Sequence, residues 1–130
     1  AFQNDSKGFE HRNKYIKGSL GKKDITWIKN GSNSINIFEG FIDYLSFLEI
    51  ESNSKKEDYL ILNSVVNIEK SIEVIKKYQD VNLFLDNDTA ADIATKKIIE
   101  ISKKKINDKR VSYKEYKDLN EYLIHKIILT

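Results

Sequence analysis

Three carboxylates stand where strands should end. Glu39 directly follows the β-rich run Ile35-Asn36-Ile37-Phe38, and Gly40 comes next. Asp86 and Asp88 follow the apolar run Val81 to Leu85, in Leu85-Asp86-Asn87-Asp88. Carboxylates that converge repel one another, so some must take up a proton or find a cation. Mg²⁺ is the hard, oxygen-seeking ion that commonly answers, keeping its waters and bridging to phosphates. An Asp-x-Asp at a strand end can turn both carboxylates to one side. On its own it serves equally well as a helix cap and turn, and a lone Glu-Gly says less still. Gly40 permits close backbone approach beside Glu39. Glu39 reaches the space of Asp86 only if its strand neighbours the strand before Asp86.

The flanking sequence supplies elements that could do this. Phe41 to Ile50 is dense enough in apolar residues for a buried helix, and Tyr59-Leu60-Ile61-Leu62 reads as the next strand. Ile68, Ile72, Val74 and Ile75 mark a second helix with Asn67 as its N-cap. Val81 to Leu85 suits a strand buried on both faces of a parallel sheet. Asp88 or Thr89 then caps a long helix whose apolar side is traced by Ile93, Lys97, Ile98 and Ile101. A last helix is expected from Lys117 to Ile128, with Leu119, Tyr122, Leu123 and Ile127 along it. Strand and helix alternating at these lengths predict βαβ units, hence an α/β fold with a parallel sheet flanked by helices. Strand C-termini are the ligand-binding edge of such sheets. Residues 1–34 differ: aromatics and charges mix from Phe9 to Lys17, glycines punctuate, and Ile25 to Ile28 could be a strand. They are expected to form a small β-rich lead-in to a domain spanning 35–130.

Composition sets outer bounds. The 130 residues carry 22 basic and 20 acidic side chains, net +2, too balanced to indicate nucleic-acid binding by total charge. The clusters Lys22-Lys23, Lys96-Lys97 and Lys103-Lys104-Lys105 are each read as solvated surface. There is no Cys, which removes disulfides and thiolate zinc sites and fits a reducing compartment. No apolar run approaches the ~20 residues of a membrane helix, and Ala1 to Glu10 lacks the apolar stretch of a signal peptide. With no Met in the chain, Ala1 is not a natural start, and a piece of a longer protein is expected. Ser- or Cys-based hydrolysis is disfavoured: there is no Gly-x-Ser-x-Gly, and His11 and His125, at opposite ends, are read as surface residues. There is no Walker-type phosphate loop, so a helicase activity in this segment is not supported.

The acidic residues and their settings resemble the Toprim family, shared by bacterial primases, topoisomerases and some nucleases. Ile37-Phe38-Glu39-Gly40-Phe41-Ile42-Asp43 resembles the primase form of the first Toprim motif. Leu83-Phe84-Leu85-Asp86-Asn87-Asp88-Thr89-Ala90-Ala91 resembles the second, except that primases usually carry Ala-Gly where this chain has Ala90-Ala91. Lys117-Asp118-Leu119-Asn120-Glu121 resembles a late acidic motif of primases. Lys17-Gly18 and Lys22-Lys23-Asp24-Ile25-Thr26 sit where primases place basic residues ahead of the core. The resemblance covers residues 9 to 125.

The resemblance implies a Toprim, Rossmann-like catalytic domain of a DNA primase. Glu39, Asp86 and Asp88 would be catalytic and would hold Mg²⁺ or Mn²⁺, with Asp43 and Asp118 extending the metal site; the alternatives are a solvent-facing helix residue for Asp43 and a charge at a helix N-terminus for Asp118. Arg12, Lys17 and Lys23 would contact phosphate or template, each with a solvated surface role as the alternative. The reaction would be RNA primer synthesis from nucleoside triphosphates on single-stranded DNA, with a replicative helicase as partner. A cytoplasmic, monomeric protein with no membrane association is expected. The resemblance leaves open a Toprim nuclease, a topoisomerase fragment whose nucleophilic Tyr lies elsewhere, and a catalytically silent Toprim-like binding domain.

Overall fold

The structure, a computed structural model, describes residues 1–13, 17–51, 57–64 and 67–129, with residue 129 described by its backbone only; residues 14–16 of the lead-in lie outside the described set. In chain order the elements are β1 (Phe2–Gln3), β2 (Phe9–Arg12), β3 (Lys17–Leu20), β4 (Thr26–Ile28), β5 (Ser34–Phe38), α1 (Phe41–Ile50) and β6 (Asp58–Ile61). Then come α2 (Ile68–Ile75), β7 (Asp80–Phe84), α3 (Thr89–Ser102), β8 (Ile106–Asp108), a 3-10 helix (Lys109–Tyr113) and α4 (Leu119–Leu129).

The main sheet has the order β4-β6-β5-β7-β8. β5 pairs in parallel with β6 and β7, and β7 in parallel with β8, as βαβ units require. β4 pairs antiparallel with β6, so the sheet is mixed at that edge. The Ile25 to Ile28 run, read from sequence within the lead-in, thus hydrogen-bonds into the main sheet. β1, β2 and β3 form a separate antiparallel sheet.

Side-chain alternation along the strands separates two cores. Ile35 and Ile37 of β5, and Val81 and Leu83 of β7, point to the aliphatic side, where Ile72, Ile75, Ala94 and Ile98 of α2 and α3 cover them. Phe38, Tyr59 and Ile61 point to the other side and meet Phe47 and Leu119 of α1 and α4. Each fully buried aliphatic residue contributes roughly 1.5–3 kcal/mol relative to exposure. Asn36, Asn82 and Asn107 lie in register, and their amides form a ladder across β5, β7 and β8, with donor–acceptor distances of 2.9 and 3.0 Å.

Three sequence expectations fail locally. The helix from Phe41 to Ile50, expected to be buried, is so only at Asp43, Ser46 and Phe47, while Leu45 and Leu48 are exposed. The face of α3 turned to the sheet is Ala91, Ala94, Thr95, Ile98 and Ser102, while Ile93 and Ile101 are exposed and Lys97 pairs with Glu69. Small residues let the helix lie close to the sheet, so bulk was a poor guide to its buried face. Asn67 sits at the N-cap of α2, but its side chain makes no cap bond there; its amide donates back to the Leu62 carbonyl oxygen (2.8 Å).

The small sheet is fastened to the large one at several points. The Phe2 ring stacks on Phe41 of α1, with centroids 5.3 Å apart. Asp5 donates its backbone N–H to the Ile25 carbonyl oxygen (2.8 Å), and the Thr26 hydroxyl donates to the Gln3 carbonyl oxygen (3.0 Å). No described helix is long and apolar enough to cross a membrane.

Candidate functional site

The chain leaves β5 through α1 to reach β6 on one side, then crosses back through α2 to β7 on the other. The strand order therefore reverses between β5 and β7, which opens a crevice beyond their carboxyl ends. Phe38 lies level with Phe84, so Glu39 and Asp86 emerge from adjacent strands at nearly the same height. Carboxylate oxygens of Glu39, Asp86 and Asp88 lie within 4.8 Å of one another. Asp43, Asp86 and Asp118 form a second triad on the same criterion, so Asp86 belongs to both. Asp43 comes from the first turn of α1, one turn past Glu39, and Asp118 from the entry to α4. Asp43 is buried rather than solvent-facing, and Asp118 both joins the triad and accepts the Glu121 backbone N–H at the start of α4 (2.8 Å).

Among the described residues, this concentration of negative charge has no cation in direct contact. Glu39 is pushed up to about 8, first by burial and then by its neighbours Asp86, Asp88 and Asp43. Asp43 is likewise pushed up to about 8 by burial and by Asp118 and Asp86, against one backbone bond from Asn120. Burial also raises Asp86. One oxygen each of Glu39 and Asp86 is buried without a hydrogen-bond partner. Among the described residues, no Lys or Arg forms an ion pair with Glu39, Asp43, Asp86 or Asp118. Buried carboxylates in this state are matched to a cation that all of them can share.

A cleft of about 370 Å³ separates this cluster from the small sheet. Glu39, Asp43, Asp86 and Asp118 line one wall, and Arg12, Lys17 and Lys23 line the other. Asp88, the remaining acidic candidate from sequence, is exposed and does not line this cleft, although its carboxylate lies close to those of Glu39 and Asp86. Arg12 and Lys17 are directly opposite across β2 and β3, an arrangement in which like charges oppose sheet formation unless an anion intervenes. Glu10 and His11 also line the cleft, although neither was singled out as a site residue from sequence. The hairpin that delivers them became visible only through strand pairing.

A Toprim-like family model matches residues 36–123, more than half of the chain. The chain belongs to the Toprim-like family. A search of curated proteins finds no match. Among solved structures, the Toprim chain is similar to the primase fragment of the bacteriophage T7 primase-helicase protein, with a TM-score of 0.68 and 18% identity. That likeness covers 95% of this chain and 55% of the fragment, so the chain spans about half of that relative. At this identity the likeness concerns the fold, and it extends beyond the Toprim core to take in most of the lead-in.

The Toprim domain holds its carboxylates with residues that sequence reasoning passed over. The Tyr113 hydroxyl donates to the Leu85 carbonyl oxygen (2.7 Å), fixing the strand end just before Asp86. The Asn87 amide donates to the Tyr113 and Tyr116 carbonyl oxygens (3.0 and 2.7 Å). Asn120 donates its backbone N–H to Asp43 (3.1 Å), and the Ser46 hydroxyl donates to the Asn120 side chain (3.0 Å). Arg110 is held by Asp92 and Asp108 and stands 3.4 Å from the Asp86 carbonyl oxygen. Asn87 and Asn120 lie inside the quoted motifs, but their supporting contacts, like those of Ser46, Arg110 and Tyr113, are with residues distant in sequence, which no spacing rule marks. Ala91, at the departure from the primase pattern, is fully buried in the aliphatic core and donates its N–H to the capping Asp88 carboxylate (2.8 Å).

Proposed function

We propose that this Toprim domain is the catalytic part of a primase, which joins ribonucleotides on a single-stranded DNA template. The observation that carries this reading is the cleft itself. Its acidic wall shares Asp86 between two triads, and its basic wall presents Arg12, Lys17 and Lys23. An acidic cluster alone would suit many metal sites, whereas a facing row of cations suits a ligand that is itself anionic, such as a triphosphate.

The donor set fits a divalent ion, because buried, unpaired carboxylate oxygens converge from separate elements. Glu39, Asp86 and Asp88, with Asp43 and Asp118 beside them, would hold Mg²⁺ or Mn²⁺, which supplies neutralisation of phosphate charge and acidifies a nearby hydroxyl. The protein's own residues then have distinct tasks. Arg12, Lys17 and Lys23 hold the phosphates and steady the charge that collects on the departing pyrophosphate. The primer 3′-oxygen forms its bond to the α-phosphorus as the bond to pyrophosphate breaks. Glu39, beside the reacting groups, receives the hydroxyl proton or serves as a ligand.

The lead-in over residues 1–34 belongs to this catalytic unit, because it contributes the basic wall. A helicase partner is consistent with the similarity to a fragment of a primase-helicase protein.

The test is a Mn²⁺ titration of this chain with and without a nucleoside triphosphate, followed by NMR line broadening, together with primer synthesis by the longer protein. Broadening should centre on Glu39, Asp86 and Asp88 and disappear in Asp86→Asn. Asp86→Asn and Glu39→Gln should each lower primer synthesis ~100-fold or more. Near-normal primer yield from either variant would refute the assignment. DNA cleavage without primer synthesis would identify a nuclease built on the same carboxylates.

A further inference from the structure

Glu10 stands apart from both acidic triads, on the opposite wall of the cleft. It is only 8% exposed, and its Oε2 is buried with no hydrogen-bond partner. Its position in β2 puts β1 on one side, with Phe2 opposite it, and β3 on the other, with Ser19 opposite it. An enclosed carboxylate oxygen with no donor is costly to keep, because desolvation is not repaid by a bond. A structural carboxylate would have acquired a donor from the surrounding strands. Glu10 has instead kept acceptor capacity at the surface of a cleft.

The neighbours of Glu10 indicate what the missing donor is. Arg12 lies two residues along the same strand, on the same face and about 6.7 Å away. Lys17 is paired with Arg12 across the hairpin. A carboxylate repels phosphate, so the part of a bound nucleotide that meets Glu10 cannot be its phosphate chain. If Arg12 and Lys17 hold that chain, Glu10 lies about one sugar's length further on. A ribose diol offers neutral O–H donors, and an ionised carboxylate is an acceptor only. A shift of the Glu10 side chain toward the cleft, allowed by its broad terminal torsion, brings the enclosed oxygen within reach of that donor.

We propose that Glu10 receives the nucleoside end of the bound nucleotide, accepts a hydrogen bond from a ribose hydroxyl, and thereby selects ribonucleotides over deoxyribonucleotides. This inference rests on the nucleotide-binding role proposed above for the cleft. It adds a residue that reads the sugar, on the wall opposite the carboxylates that face the phosphates.

The experiment is calorimetric titration of this chain, in Mg²⁺, with ATP, 2′-deoxyATP, 3′-deoxyATP and GTP. It is repeated on Glu10→Gln, which keeps the shape, on Glu10→Ala, and on Arg12→Ala. The unsubstituted chain should bind ATP about ten-fold or more tighter than 2′-deoxyATP, as loss of a hydrogen bond to a charged group implies; equal binding of the two, or discrimination against 3′-deoxyATP alone, overturns the inference. Glu10→Gln should narrow that ratio and Glu10→Ala should abolish it, whereas Arg12→Ala should weaken all nucleotides alike and leave the ratio standing. If Glu10→Ala does not fold, the ratio in Glu10→Gln decides. An unchanged ratio in a Glu10 variant that still binds nucleotide overturns the inference alone. So does a change that follows the base, ATP against GTP, and not the sugar. No nucleotide binding by the unsubstituted chain would remove the proposed function, and this inference with it.

Discussion

Asn87 donates its backbone N–H to the Lys117 carbonyl oxygen at 2.7 Å. The bond joins the middle of the Asp-x-Asp motif to the residue before Asp118, across 30 positions of sequence. With the Asn87 side chain bound to the Tyr113 and Tyr116 carbonyl oxygens, it clamps the approach to α4 against the end of β7. The residue between the two aspartates therefore assembles the second triad, although it offers no carboxylate of its own.

Replacing Asn87 with Ala removes both side-chain bonds and leaves two carbonyl oxygens to find other donors. The expected cost is about 1–3 kcal/mol of stability, measured by urea unfolding. Because the clamp positions Asp118, Mn²⁺ affinity should also fall several-fold in the variant. A variant with normal stability and normal metal affinity would contradict the clamp.

Stability should depend on pH in the direction opposite to that of a salt-bridged acid. Glu39 and Asp43 are each pushed up to about 8 from ordinary values near 4, and Asp86 is raised with them. Between those limits the folded chain holds protons that the unfolded chain has released. The unfolded state thus binds fewer protons, and stability falls as pH rises. Without divalent ions, the melting temperature should be higher near pH ~5 than near pH ~8. Saturating Mg²⁺ should recover most of the loss at the higher pH, since the ion takes the place of those protons. Asp86→Asn should flatten the metal-free profile and abolish the recovery. Thermal scans in chelator and in Mg²⁺ across this range provide the check, and a metal-free profile that rises with pH would contradict the burial of these groups.

Gly8 is required where it stands. A Cβ there would lie 2.2 Å from the Lys22 carbonyl oxygen and 3.0 Å from that of Leu20, both of them backbone. Gly8→Ala should cost at least ~1–3 kcal/mol through overpacking. The damage should be confined to the small sheet and to the loop carrying Lys22 and Lys23, because the carboxylates are held by the main sheet and its helices. The expected result is a lowered melting temperature and weakened nucleotide binding, with Mn²⁺ binding at Glu39, Asp86 and Asp88 preserved.

The three cations of the basic wall are exposed, so removing any one should change stability by no more than ~0.5 kcal/mol. Arg12→Ala, Lys17→Ala and Lys23→Ala should nonetheless weaken nucleotide binding and reduce its salt dependence, because each phosphate contact contributes to that slope. Titrations at several salt concentrations would show this. Binding that is unaffected in all three variants would remove phosphate recognition from that wall.

Local chemistry was legible in the sequence wherever the chain carries its own signal. The runs Ile35 to Phe38 and Val81 to Leu85 form strands as their short, mostly apolar, β-rich composition suggests, and the acidic residues that follow stand at the carboxyl ends of adjacent parallel strands. A cap of α3 at Asp88 or Thr89 was likewise readable, since capping depends on a side chain and the turn that follows, and the structure selects Asp88. The helix from Phe41 to Ile50 follows from apolar density alone. These are consequences of short-range geometry, which a sequence states directly.

What the tertiary structure decided are relations between segments. Pairing of β5 with β7 brings Glu39 to Asp86, and pairing of β4 with β6 takes a strand out of the lead-in and adds it to the main sheet. The short strand β8 and the 3-10 helix after it carry little periodicity, yet they place Arg110 and Tyr113 behind the motif. Packing through alanines reversed the expected face of α3. Stacking of Phe2 on Phe41 sets the small sheet over the crevice, so that Glu10, Arg12 and Lys17 face carboxylates far along the chain. A sequence records which side chains are available, but convergence depends on strand order and helix docking, where the free energy lies in contacts between residues that no spacing rule connects.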